Sequence, residues 1–177
     1  MTFVVDTNVL LVANGAHSDI SLQCVASCVN RLMDIQSSGR IVIDDRYKII
    51  TEYLNKTRPN QPKGPGDIFL KWLLQNQSNA NRVDVVTLTE TADDTFVEFP
   101  DDHLAAAFDP PDRKFVAIAC AHPDKPPILQ ATDCKWLNWW RRLLDYDVTV
   151  IFLCPDDVCR FYHNKFPNLA CPPVPGN

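Results

Sequence analysis

The chain has too few glycines for a phosphate-cradling turn: five in 177 residues, with only Gly15 near the first predicted strand. A dinucleotide-binding fold wants a Gly-rich turn directly after that strand, so that class is set aside. No apolar run approaches the length that crosses a bilayer, which argues against a membrane partner. The start lacks the basic segment and apolar core of a secretory signal, so the expected location is the cytoplasm. The seven cysteines are odd in number and form no C-x-x-C pair. Cys24 and Cys28 stand one helical turn apart, but no second pair with zinc-like spacing accompanies them. The expectation is small apolar thiols in a reduced core. The four histidines, His17, His103, His122 and His163, lack a ligand-like spacing. Positive charge is not in excess either. The formal net charge of −5 argues against nucleic-acid binding by bulk charge alone. It does not argue against a nuclease, because clustered carboxylates lower the net charge and bound cations invert it locally.

What is present fits one globular domain. Hydrophobic residues make up 46% of the chain, enough for a sizeable core at this length. Residues 1–167 read as a single domain and residues 168–177 as a Pro-rich tail. There is no internal repeat and no linker long enough to divide it.

The organising stretch is Phe3-Val4-Val5-Asp6-Thr7-Asn8-Val9-Leu10-Leu11. Its apolar, β-branched start predicts a buried strand that ends on Asp6. In an open α/β sheet, ligands bind in the crevice at the carboxyl ends of the strands. Four further strands are predicted: Arg40-Ile41-Val42-Ile43, then Val83 to Leu88, Ile128-Leu129-Gln130-Ala131, and Val148 to Leu153. Helices alternate with them. One runs from Leu22 to Gly39, capped at Ser18 or Asp19, with Leu22, Val25, Ala26, Val29, Leu32 and Met33 as its apolar positions. A second buries Ile49, Ile50, Tyr53 and Leu54. A third is capped by Asp67. Others start near Leu104, Pro110, Lys135 and Pro155. This alternation implies a parallel sheet with helices on both faces.

Two segments stay irregular. Residues 56–66 are rich in Pro and Gly and carry Lys56, Arg58 and Lys63. They read as a solvated connector or as a basic loop holding a phosphate backbone. Residues 90–102 are acidic, with Phe96, Val97 and Phe99 expected on the core. Trp136, Trp139 and Trp140 fall on one helical face, where core packing is the main reading and a base-stacking platform the alternative.

Four acids attract notice as a set. Asp6 and Asp133 each follow an apolar strand, at the same edge if the strands are parallel. Asp112 opens a helix shortly before the second of those strands, and Glu52 rides a helix that follows a strand. Each alone has a plain role as a turn, cap or solvated residue. Together they would repel, and either shared protons or a hard divalent cation relieves that. One or two Mg²⁺ or Mn²⁺ ions fit such ligands. Two ions about 3.5–4 Å apart stabilise both the attacking and the leaving oxygen of a phosphodiester.

On these residues the chain resembles the PIN-domain nucleases. The resemblance rests on Val4-Val5-Asp6-Thr7-Asn8-Val9-Leu10 and on Ile49-Ile50-Thr51-Glu52-Tyr53-Leu54. It continues in Asp112-Arg113-Lys114-Phe115-Val116-Ala117-Ile118-Ala119 and Ile128-Leu129-Gln130-Ala131-Thr132-Asp133-Cys134-Lys135-Trp136. The blocks occur in the family's order across most of the first 140 residues. The resemblance implies a three-layer α/β/α sandwich on a five-stranded, mostly parallel sheet. It implies a Mg²⁺- or Mn²⁺-dependent endoribonuclease acting on single-stranded RNA, toxin-like or defence-associated. Asp6, Glu52, Asp112 and Asp133 match the acidic quartet, with Asn8 and Thr132 as supports. Lys56, Arg58, Lys63, Arg113 and Lys135 are the candidate substrate contacts. A protein partner such as an antitoxin, and a homodimer, are further implications. The chain departs from the compact toxins in its length and in carrying Lys135 where some members have another acid. A haloacid-dehalogenase-type enzyme also opens with a strand and Asp, but needs a second Asp where Asn8 stands. An inactive PIN-like binding or scaffold module is the competing reading from another class.

Overall fold

The structure is a computed structural model and describes residues 1–16 and 18–175. His17 and the last two residues of the predicted tail, Gly176 and Asn177, lie outside the described residues. The chain runs β1 (Thr2–Val5), α1 (Thr7–Ala13), α2 (Leu22–Ser38), β2 (Arg40–Asp44), α3 (Lys48–Lys56), α4 (Pro65–Asn76) and β3 (Val83–Val86). It continues with β4 (Glu90–Ala92), β5 (Thr95–Phe96), α5 (Asp102–Ala107), a 3₁₀ turn at Pro110–Asp112, α6 (Arg113–Ala121) and β6 (Ile128–Gln130). It closes with a 3₁₀ segment at Cys134–Asn138, α7 (Trp140–Leu144), β7 (Val150–Phe152) and α8 (Pro155–Lys165). No helix among the described residues is long and apolar enough to cross a membrane.

Five strands form one sheet in the order β3-β2-β1-β6-β7, and every neighbouring pair is parallel. With its flanking helices it makes a three-layer α/β/α sandwich. β1 lies at the centre, and Phe3, Val4 and Val5 are buried there. A strand covered on both faces must be apolar at consecutive positions, which is why the run reads without alternation. The chain adds β2 and β3 on one side of β1, then crosses over to add β6 and β7 on the other. The order therefore reverses between β1 and β6. That reversal is where an open parallel sheet leaves a crevice for a ligand.

The helix after β1 was not legible as a separate element. α1 begins directly at Thr7, with Asp6 as its N-cap: the carboxylate accepts the Asn8 N–H at 2.7 Å. α4 packs tightly on α1. A Cβ placed on Gly66 would lie 2.2 Å from the Leu10 carbonyl oxygen, so only glycine allows this approach.

Several expectations need correction. α2 is capped by Ser21, whose hydroxyl accepts the Cys24 N–H at 3.1 Å, not by Ser18 or Asp19. Its buried stripe is Cys24, Cys28, Leu32 and Ile35, whereas Leu22 is 87% and Met33 58% exposed. The cysteines set the phase of this helix because they behave as small apolar groups. They are not all reduced: Cys24 and Cys154 form a disulfide across 130 residues, joining α2 to the end of β7. Leu54 is exposed although Ile49, Ile50 and Tyr53 are buried. α4 starts at Pro65 within the segment read as irregular. Proline suits a first helical position because its missing N–H has no partner there. Asp67 is therefore inside the first turn rather than the cap. It accepts the backbone N–H groups of Arg58 and Lys63, both at 2.9 Å, and the Asn14 amide at 2.9 Å, tying residues 58–63 down.

Residues 90–96 form an antiparallel hairpin, β4 with β5, instead of an irregular segment. Phe96 and Phe99 are buried as expected, but Val97 is 63% exposed. The predicted helix from Lys135 to Leu144 is broken into a 3₁₀ segment and the short α7, so the tryptophans do not share one face. Trp136 and Trp139 instead enclose Phe108, with ring centroids 5.0 and 4.0 Å from it. Trp136 is fully buried. Core packing is thus its role, and it cannot stack on a nucleobase. The tail after α8 turns at residues 167–168 and has no regular structure from there to residue 175, with the Cys171 and Cys159 sulphurs 3.0 Å apart.

Candidate metal centre

Asp6 leaves the end of β1 and Asp133 follows β6, so the two flank the place where the strand order reverses. Asp112 ends the 3₁₀ turn that leads into α6, and α6 packs on β1 and β2. Glu52 projects from α3, which packs against α1 and α6. The parallel sheet thus brings together four carboxylates that are far apart in sequence.

Their titration reflects that proximity. Burial pushes the Asp6 carboxyl well above the usual range. Asp112, Asp133 and Glu52 add repulsion, against the Asn8 N–H, which favours the charged form. Asp112 is pushed up to about 7, first by burial and then by Asp133, with Asp109 and Glu52 adding to it and Lys114 opposing. Asp133 is raised mainly by burial; the Lys135 N–H and the ammonium groups of Lys165 and Lys135 limit the rise. Tyr53 donates its hydroxyl to the Val5 carbonyl, and burial, Asp6 and Glu52 hold its pKa high.

The supports expected from the sequence also meet. The Asn8 side-chain oxygen accepts the Thr132 N–H at 2.7 Å and the Thr132 hydroxyl at 3.0 Å. This clasp fixes the turn carrying Asp133 to the turn carrying Asp6. The basic candidates are placed differently. Lys56, Arg58 and Lys63 are exposed. Lys135 is paired with Asp109. Arg113 donates to the Asp94 and Phe108 carbonyl oxygens, at 3.5 and 3.3 Å, and so braces the hairpin.

Sequence reading missed Lys114, Thr7, Asp109, Arg46 and Lys48. Lys114 is only 5% exposed and pairs with Glu52; its ammonium also donates to the Pro111 carbonyl. Thr7 donates its hydroxyl to the other Glu52 oxygen at 2.5 Å. The signal for Lys114 was a lone charge immediately before the apolar run Phe115 to Ala119. Beside Glu52 opens a cleft of about 350 Å³, lined in part by Arg46, Lys48, Lys56, Asp94 and Lys114. Lys48 donates to Glu90 at 2.6 Å, so the hairpin forms a wall of this cleft. A larger cavity of about 620 Å³ lies between α2 and β7, but none of the four acids lines it. The cleft beside Glu52 carries the basic groups of Arg46, Lys48, Lys56 and Lys114.

Comparison with protein-family models, with curated proteins and with solved structures found no match for this chain.

The donor set fits a hard cation in kind. Asp112 makes no capping hydrogen bond, and the one cap on Asp6 leaves its second oxygen free. Spacing sets a limit. Among the described residues, the only three potential ligand atoms all within 4.8 Å of one another are the sulphurs of Cys24, Cys28 and Cys154. Two of these are committed to the disulfide, and burial pushes the Cys28 thiol up to about 12, so they suit packing rather than ligation. Among the described residues, no three of the acids bring one oxygen each to within 4.8 Å of one another.

Proposed function

We propose that this chain is a PIN-like, divalent-metal-dependent endoribonuclease that hydrolyses phosphodiester bonds in single-stranded RNA. The observation that carries the reading is the convergence of Asp6, Asp112, Asp133 and Glu52 at the sheet's reversal point, where mutual repulsion and burial raise the carboxyl pKa values of Asp6 and Asp112. Such a site favours either retained protons or a bound cation. Mg²⁺ or Mn²⁺, when bound, supplies Lewis acidity that makes water more acidic and neutralises charge on a phosphodiester.

The chain's own groups have distinct parts in this reading. Asp6, Glu52, Asp112 and Asp133 are the residues that would hold such an ion. Asn8 and Thr132 keep Asp133 oriented. Arg46 and Lys56, exposed beside the cleft, hold the RNA backbone by charge. RNA over DNA, a protein antitoxin and a homodimer rest on the family resemblance alone. The cytoplasm is the proposed location, although a disulfide such as Cys24–Cys154 is more usual in an oxidising compartment.

The test is degradation of labelled single-stranded RNA. Mn²⁺- or Mg²⁺-dependent cleavage that Asp6→Asn abolishes supports the reading. Cleavage that survives both EDTA and Asp6→Asn belongs to another site. The spread of the acidic oxygens favours the second reading, an inactive scaffold module, and a folded protein that binds no Mn²⁺ would decide for it.

A further inference from the structure

Cys159, on α8, and Cys171, twelve residues further along, hold their sulphurs 3.0 Å apart. We propose that this pair is a site of reversible oxidation, and that closing it locks the Pro-rich segment 172–175 over the cavity between α2 and β7. Bonded sulphurs are about 2 Å apart, so a further approach of about 1 Å completes a disulfide. Both cysteines are half-buried and so within reach of a small reagent. The Cys24–Cys154 bridge is different. Both its residues are buried, and so is Cys28, whose sulphur lies 3.8 Å from that of Cys154. A sealed bridge resists exchange, whereas an accessible pair responds to its surroundings. Among the described residues, no third ligand joins Cys159 and Cys171 within metal-binding reach, which leaves the pair to each other.

The segment anchored at Cys171 reaches the cavity. Val174 packs against the core, and Pro175 lines the space of about 620 Å³ beside Val150, Ile151 and Leu153. β7 is an edge strand, paired only with β6. Pro172, Pro173 and Pro175 have no N–H to donate, so this segment covers the edge without extending the sheet. The oxidant is a small-molecule disulfide. The Cys171 thiol donates to the Cys159 sulphur. Burial, then that hydrogen bond, push the Cys171 thiol up to about 12, so it keeps its proton and Cys159 attacks first. The Cys159 thiolate takes one sulphur of the reagent and expels the other as a thiolate. Cys171 then attacks the Cys159 sulphur, expels the second small thiolate and gives up its proton to it. Two electrons pass from the cysteines to the reagent, which ends as two thiols.

The experiment equilibrates the full chain with mixtures of reduced and oxidised glutathione, then alkylates and maps the peptides by mass spectrometry. As the mixture becomes more oxidising, free thiols should fall from five to three, with Cys159 linked to Cys171 and Cys24–Cys154 unchanged throughout. Hydrogen exchange at Ala170, Cys171 and Val174 should slow by roughly tenfold to a hundredfold on oxidation, as closing so short a loop implies. Cys171→Ser should show neither the link nor the slowing. Five free thiols in every mixture, a link from either residue to Cys134, or a glutathione adduct that never resolves would overturn the proposal. So would a closed link that leaves exchange unchanged, or a Cys24–Cys154 bridge that opens before the Cys159–Cys171 link does. If Cys171→Ser does not fold, oxidised and reduced wild type still decide.

Discussion

Replacing Asp112 with asparagine should make the metal-free protein more stable at alkaline pH. Asp112 is driven from its ordinary 3.8 to about 7 in the folded state by burial and by Asp133, Asp109 and Glu52. A raised folded pKa means that the fold prefers the protonated carboxyl. No penalty exists below 3.8, where both folded and unfolded chains hold the proton. The penalty grows as pH rises from 3.8 and is complete above about 7. At about 1.4 kcal/mol per pH unit, the shift corresponds to a ceiling of about 4 kcal/mol. The neighbouring acids share the repulsion, so Asp112→Asn should recover about 2–4 kcal/mol at pH 8. Asparagine keeps the shape and loses the charge. Urea unfolding in EDTA, at pH 8 and again near pH 4, measures the difference between the two proteins. The gain should be present at pH 8 and vanish near pH 4. Mn²⁺ should stabilise the wild type more than the variant and so narrow the gap. If Asp112→Asn destabilises at pH 8, or changes stability equally at both values, the acids do not repel one another as described.

Other parts of the fold give independent tests. Gly66→Ala sets a methyl group against the Leu10 carbonyl, and thermal melting should show a loss of about 1–3 kcal/mol. Trp136→Ala empties the space around Phe108 and should cost about 3–5 kcal/mol in urea unfolding. Cys154→Ser opens the cross-link between α2 and β7 and should cost about 2–5 kcal/mol by the same measurement. At Asp67, burial works to raise the pKa, but the Lys63 and Arg58 N–H groups and the Asn14 amide outweigh it and hold the carboxyl below its ordinary 3.8. Its stabilisation is therefore present above 3.8 and lost as pH falls further. Asp67→Asn should destabilise at pH 7, with the deficit shrinking in acid, as pH-dependent melting can check.

Much of the sheet was legible because burial on both faces leaves a direct mark on a strand. Val4 and Val5 could hardly be anything else, and the same holds for Ile128 and Leu129. Asp6 and Asp133 stood out because each follows an apolar strand, and Asp112 because it opens a helix just after two prolines. What stayed hidden depends on partners remote in sequence. Cys24 shows no local sign that it will meet Cys154. Lys114 looks like an ordinary helix charge until Glu52 arrives from another element. Lys135 resembles a free substrate contact until Asp109 is seen beside it. The hairpin of Glu90–Ala92 with Thr95–Phe96 is too short for alternation to register. Val97 follows it, and its exposure comes from the turn rather than from its own chemistry.

The central position of β1 constrains how this protein can be made. β1 needs β6, which is synthesised more than a hundred residues later, as its second neighbour. Pairings of such long sequence separation close late and slowly. Asp6 therefore waits for Asp133 until β6 has been made and has paired with β1. Under the proposed nuclease reading, a centre split in this way stays incomplete on the nascent polypeptide until β6 has paired with β1.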